Sequence, residues 1–318
     1  MMDFINALPG AISQGLIWGI MAIGVYITYK ILDIADLTVD GSFCTGAAAF
    51  VVLYTGGTNL WLAMLAAVVA GALAGLVTGV LHTFCGIPAI LSGILTQLGL
   101  WSINMAIMSM KATVAINVTT PEMLDKLLVS LRFVKDVANG TRPFYRHPIL
   151  VVGIFTIILI VILYWFFGTE LGCSLRATGS NQNMARAQGI NTDFCKVLGL
   201  MLSNALVSLS GALLAQYNSA SEINMGRGAI VIGLAAVIIG EVAFSKIFRN
   251  FGLKLLAVSI GAIIYYIVIQ AVLAMGLNAN YLKLLSAVVV AIFLSIPYWK
   301  NKYIRASVKT TKEVSTHA

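Results

Sequence analysis

Apolar runs of about 18 or more residues recur from one end of this chain to the other, each long enough to cross a hydrocarbon core of about 30 Å as a helix. Lipid offers backbone N–H and C=O groups no partner, so a spanning segment must satisfy them within itself, and runs of this length do so as helices. Only 10% of the residues are charged and 59% are hydrophobic, against about 25% charged in an ordinary soluble domain. The expected fold is therefore an all-α polytopic membrane protein, with residues 1–318 forming a single transmembrane domain.

Hydropathy places spans near 10–32, 37–54, 59–82, 86–109, 147–168, 196–216, 228–244, 253–276 and 281–299, about nine crossings. The start, "MMDFINALPG", lacks the basic n-region and cleavage site of a signal peptide, so the first run is expected to stay in the membrane. Lys300, Lys302, Arg305, Lys309 and Lys312 mark residues 300–318 as a basic cytoplasmic tail by the positive-inside rule. Counting back puts Lys246, Arg249 and Lys254, and the polar interval 169–195, on the same side, with the N-terminus outside. The formal net charge of +8 thus gathers at membrane edges, where anionic lipid headgroups rather than nucleic acid are its partner.

One loop dissents, since residues 110–146 fall outside yet carry Lys111, Lys126, Arg132, Lys135, Arg142 and Arg146. Within it Thr120, Pro121 and Glu122 are start signals for a helix with Leu124, Leu127, Leu128, Leu131 and Val134 at helical spacing. That predicts an amphipathic helix on the outer face, either a cover for the bundle or a docking surface for an acidic extracytoplasmic partner. Gly71, Gly75 and Gly79 form a small-residue ridge on the third span and Gly15 and Gly19 a shorter one on the first, for packing within the chain or against a second copy.

Polar atoms interrupt the spans at defined places. Gly86 and Pro88 distort the start of the fourth, and on it Gln97 and Asn104 share a face beside Thr96 and Trp101. Those amides either line a solute path or bind a neighbouring helix, and the same choice applies to Ser203 and Asn204. Two stretches, "KILDIADLTVDGSF" and "EINMGRGAIVIGLAAVIIGE", each run from polar residues through glycine into an apolar span. Their opposed orientations would make them counterparts in an inverted repeat. Asp40 and Glu241 are the acidic groups nearest the hydrocarbon, so each either faces inward or sits at the water interface.

Several functions are excluded by what the sequence lacks. There is no Walker A loop for ATP, and His82, His147 and His317 are too scattered for a metal cluster or a catalytic triad. No cofactor is expected. Neither an arginine ladder nor a carbonyl filter marks a voltage sensor or potassium channel. Cys44, Cys85, Cys173 and Cys195 have no close-paired spacing and read as reduced, small hydrophobes.

Against this background "ELGCSLRATGSNQNMARAQGINTD", residues 170–193, stands out. Arg176 falls in a short turn, Ser180 can cap a helix that stops at Gly189, and Asn191 or Thr192 can cap the next span. Met184, Ala185 and Ala187 give that helix a small apolar face among Asn181, Gln182, Asn183, Arg186 and Gln188. A compact capped helix of this kind suits a groove on another protein.

The interval resembles the G-x-x-x-R-A-x-G-x-N-x-x-x-A-x-x-x-G-I motif in permease subunits of ABC importers of the branched-chain-amino-acid and ribose type, through Gly172, Arg176, Ala177, Gly179, Asn181, Ala185, Gly189 and Ile190. The likeness continues through "LGLMLSNALVSLSGALLAQY" and "IVIGLAAVIIGE", where Glu241 replaces a glycine usual in that family, and "DLTVDGSF" is similar to the subgroup paired with aromatic-amino-acid binding proteins. The resemblance implies a permease in a bacterial cytoplasmic membrane, working with a second permease copy, cytoplasmic ATP-binding subunits and an extracytoplasmic solute-binding protein. It makes Arg176, Gly179, Asn181, Ala185 and Gly189 the ATPase-coupling residues, and leaves Thr96, Gln97, Trp101, Asn104, Asn204 and Asp40 as the expected solute path. Import of an amino acid, aromatic above others, is the expected function. The alternatives are a secondary transporter anchored on Asp40, or an importer of a sugar, nucleoside or branched-chain amino acid.

Overall fold

The computed structural model describes residues 2–116, 126–138, 146–244, 248, 250–274 and several positions between 284 and 295. Its helices are α1 (Met2–Tyr26), which continues as a π-helix over Ile27–Ile31, α2 (Val39–Thr55), α3 (Leu60–Thr83), α4 (Ala89–Ile107), α5 (Leu131–Ala138), α6 (Pro148–Gly168), α7 (Glu170–Ser180), α8 (Gln182–Ala187), α9 (Thr192–Asn218), α10 (Ala229–Phe244) and α11 (Phe251–Ala274). Among the described residues six segments are long and apolar enough to cross a membrane: Ala7–Ile31, α3, α4, α6, α9 and α11. Helices α2 and α10 are apolar but shorter. The expected span at 281–299, the basic tail, and Thr120, Pro121, Glu122 and Leu124 lie wholly or largely outside the described residues.

The two short helices have a common cause. Before α2 the chain leaves helical geometry over residues 32–38, and before α10 it passes through a short strand and a run of turns over 219–228. Non-helical backbone in a membrane protein must find protein partners, and Asp36 and Asp40 supply them. Asp36 Oδ1 accepts from the N–H of Thr38 at 2.9 Å. Asp40, in the first turn of α2, accepts from the N–H groups of Gly228 and Ile230 at the start of α10. The N-termini of the two short helices therefore meet.

Helix α9 is the spine. Ser203 and Ser210 donate to the carbonyls of Gly24 and Ile17 on α1, at 2.7 Å each, and Ser208 donates to Ala67 on α3 at 2.6 Å. Interhelical bonds of this kind contribute about 0.6 kcal/mol apiece. The ridge of Gly71, Gly75 and Gly79 lies against Asn204, Ser208, Leu200 and Val197 of α9, so close that a Cβ would strike backbone. Gly15 and Gly19 seat in the same way against Ile263 and Ser259 of α11. Both ridges pack within the chain.

At one end of the bundle β1 (Thr113–Ala115) pairs antiparallel with β2 (Ala220–Glu222), matching Val114 to Ser221. This strand pair ties the loop after α4 to the link between α9 and α10. In the expected amphipathic segment only Leu131–Ala138 is helical among the described residues, while Leu127 and Val129 are buried ahead of it. Ser130 caps this helix, its Oγ accepting from the N–H of Arg132 at 3.4 Å. Outward-facing Ile154, Ile157, Ile158, Val161 and Ile162 give α6 an apolar surface suited to lipid.

Candidate functional site

The hairpin between α6 and α9 is two helices, not one. Thr169 caps α7, and Arg176 lies inside that helix rather than in a turn. From there the guanidinium donates to the carbonyl of Phe167 in the last turn of α6 at 2.9 Å and sits 6.0 Å from the ring centre of Phe251 on α11. A cation placed there satisfies a C-terminal carbonyl and stacks on an aromatic face. Gly179 presses on the Ile31 carbonyl, leaving no room for a side chain. Asn181, not Ser180, caps α8, its Oδ1 accepting from the N–H of Met184 at 3.0 Å. Ser180 is instead the last residue of α7, because the backbone turns extended only at Asn181.

Gly189, at φ +81°, ends α8. The N–H of Ile190 returns to the Ala185 carbonyl and that of Gly189 to Arg186, the paired bonds of a Schellman stop. Asn191 caps α9 by accepting from Phe194. Arg186 then clamps the corner, donating to Thr192 Oγ1 at 2.8 Å and pairing with Asp193 at 3.1 Å.

The exposed face of this corner differs from the expected one. Ala185 is only 3% exposed and turns into the protein, whereas Met184 is 62% and Phe194 53% exposed. Met184, Ala187 and Phe194 therefore form the outward apolar surface, and Ala185 is part of the hairpin's own packing. Helical spacing alone does not tell which side of a two-turn helix its neighbours cover.

Among the residues expected to form a solute path, Asp40, Gln97, Trp101 and Asn104 come together around a cavity of about 190 Å³. Asn104 is buried, with its amide 3.4 Å from the Gly41 carbonyl, while Gln97 is half-buried and Trp101 47% exposed. Thr96 is elsewhere: its hydroxyl donates to the Ser92 carbonyl, and it faces a separate, apolar cavity between α3 and α4. Asn204 is fully buried, donating to Asp36 Oδ2 at 2.7 Å and accepting from Ser42 Oγ at 2.6 Å. It fastens α9 to the chain before α2 and does not reach the cavity.

Asp40 faces inward, whereas Glu241 is half-exposed and pairs with Lys30 at 3.2 Å. Two residues escaped sequence reasoning. Asp36 lacked any local sign of its partner 168 positions away, and Arg227, on the cavity wall, sits in a glycine-flanked stretch that drew notice only for its polarity. All four cysteines are unpaired, Cys44 and Cys195 buried, Cys85 and Cys173 exposed.

The family model described as "Branched-chain amino acid transport system / permease component" matches residues 8–295. The chain is 38% identical to a tyrosine transport system permease protein of Clostridioides difficile, over 91% of both chains. It is 26% identical to the autoinducer 2 import system permease protein LsrC of Salmonella typhimurium, over 94% of this chain and 75% of that protein. Among solved structures, PsaBC from Streptococcus pneumoniae in complex with Fab shares the fold at a TM-score of 0.52 and 15% identity, covering 92% of this chain and 95% of that one.

Proposed function

The chain belongs to the branched-chain amino acid transport permease family and is a non-catalytic, multi-pass subunit of the bacterial inner membrane, and we propose that it imports an amino acid, an aromatic one in preference. Family membership implies ATP-binding and solute-binding partners. The observation that carries the coupling half of the proposal is the hairpin. It is stapled at Phe167, Phe251 and Ile31 to three separate segments of the bundle, yet offers Met184 and Phe194 outward. A push on that surface is transmitted to α1, α6, α9 and α11 together, as ATP-driven alternating access requires. Arg176, Gly179, Asn181, Ala185 and Gly189 hold the hairpin's shape, and Met184 and Phe194 contact the ATPase. The likeness to a tyrosine permease supports the aromatic preference.

The solute passes the Asp40, Gln97, Trp101 and Asn104 cavity. The chain crosses nine times, with its hairpin and C-terminus cytoplasmic and residues 110–146 outside, and pairs with a second permease copy. An inverted repeat relates α1–α4 to α9 and the helices after it. In support, α2 and α10 are both short, both follow polar non-helical chain, and meet at their N-termini, while α1 packs on α11 as α9 packs on α3. A secondary transporter anchored on Asp40 is disfavoured, because both carboxylate oxygens of Asp40 already accept backbone bonds.

Gentle solubilisation of the native membrane, capture of this chain and mass spectrometry of what stays bound test the proposal. An ATP-binding subunit and an extracytoplasmic binding protein with an aromatic ligand are expected. Recovery of the chain alone, still taking up solute in liposomes without ATP, overturns it.

A further inference from the structure

The link between β2 and α10 separates two cavities. One is the 190 Å³ space beside Gln97; the other, of about 520 Å³, opens across the same link toward α1 and α11. Arg227 lines both. Its neighbour Gly228 is pinned by Asp40, so the backbone is held while the guanidinium forms no ion pair among the described residues. Arg227 is exposed and lines both spaces, so its guanidinium, a permanent cation with five donors, is open to an anion that enters either.

The larger cavity has the walls of a ligand site. Trp18 is 7% exposed and stacked on Phe43 at 4.9 Å; Tyr266 lies 5.9 Å from Trp18 and meets Tyr265 edge to face at 5.6 Å. These rings brace one another, so the aromatic surface is formed in advance. Gln14 and Gln270 place amide groups on the same cavity, able both to donate and to accept. The volume falls within the range of about 300–1,000 Å³ for small-molecule pockets, and apolar walls with a few placed polar groups are their usual make-up.

Resting on the reading of the chain as an amino-acid permease, we propose that the permease holds a solute site of its own in this cavity. Arg227 takes the carboxylate in a two-pronged hydrogen bond, as guanidinium does. The rings of Trp18 and Tyr266, backed by the fully buried Tyr265, take an aromatic side chain, and Gln14 and Gln270 meet the ammonium group or a ring hydroxyl. The binding protein on this view selects first, and the permease reads carboxylate and ring a second time.

The test uses the permease with its ATPase subunits in nanodiscs, without binding protein, and radiolabelled L-tyrosine as probe. Saturable binding is expected, with L-phenylalanine competing well and tyramine, which lacks the carboxylate, at least about tenfold more weakly, as loss of one charge-assisted pair implies. R227Q should lose binding by a similar factor and R227K should recover part of it, each variant being checked for an unchanged melting temperature. The tyramine comparison needs no variant and decides the matter if R227Q does not fold. Absence of saturable tyrosine binding, or tyramine competing as well as tyrosine, overturns the site. ATP-driven tyrosine uptake after adding the binding protein is scored separately, and its absence counts against the importer reading instead.

Discussion

Asp40 on α2 holds the start of α10: its two carboxylate oxygens accept the N–H groups of Gly228 at 2.9 Å and Ile230 at 3.0 Å. One side chain thereby satisfies the orphan donors of a helix that begins inside the bundle, and joins two parts of the sequence 188 and 190 residues apart.

Replacing Asp40 by Ala removes that cap and leaves the donors of α10 without their carboxylate. A loss of about 1–2 kcal/mol is expected, read as a lower melting temperature in detergent and as lost uptake. Asp40→Asn keeps an acceptor and should fall between; an Asp40→Ala protein as stable as the parent would contradict the role.

Met184 and Ala185 adjoin in sequence but point opposite ways. Met184→Asp should leave the melting temperature unchanged and weaken co-purification of the ATPase. Ala185→Arg forces a long cation into a site that is 3% exposed, and should destabilise the permease by roughly 1–3 kcal/mol, as overpacking does. The reverse pattern would place Ala185 at the partner surface after all.

Gly75 and Gly99 form a matched pair. A side chain at 75 strikes the Leu200 carbonyl of α9, whereas nothing lies within 4 Å of one at 99. Gly75→Leu should therefore abolish folded protein in size-exclusion chromatography, and Gly99→Ala should raise stability by about 0.5–1 kcal/mol through helix propensity.

Gln97 and Asn204, equivalent in the sequence as mid-membrane amides, separate in the structure. Gln97→Leu should reduce transport while assembly is kept. Asn204→Leu strips a donor from the Asp36 carboxylate, itself 2% exposed. Leaving that buried oxygen without its donor, while Thr38 still serves the other, costs about 1–3 kcal/mol, so assembly should weaken. Normal assembly of Asn204→Leu would show that Asp36 is satisfied by other means.

How much of this was legible beforehand follows from range. Six of the spans among the described residues, the Gly189 stop, the Asn191 cap and the glycine ridges depend on residues within a few positions of one another, and each stands where local chemistry puts it. The meeting of Asp40 with Gly228, the partnership of Asp36 with Asn204, the inward turn of Ala185 and the β1–β2 pair depend on segments brought together by packing. The sequence marked Asp40 as costly in lipid without saying what it held. For Arg227, the flanking glycines of "MGRGAI" signalled a turn but carried no hint of two cavities beside it.

The most direct measurement is uptake of radiolabelled L-tyrosine into proteoliposomes holding this permease with its ATP-binding subunits, binding protein outside and ATP inside, for the parent and for Met184→Asp. The expected result is tyrosine accumulation that requires both ATP and binding protein and is lost in Met184→Asp despite a folded permease. Accumulation without ATP, or undiminished in that variant, would contradict the coupling of this hairpin to an ATP-driven importer.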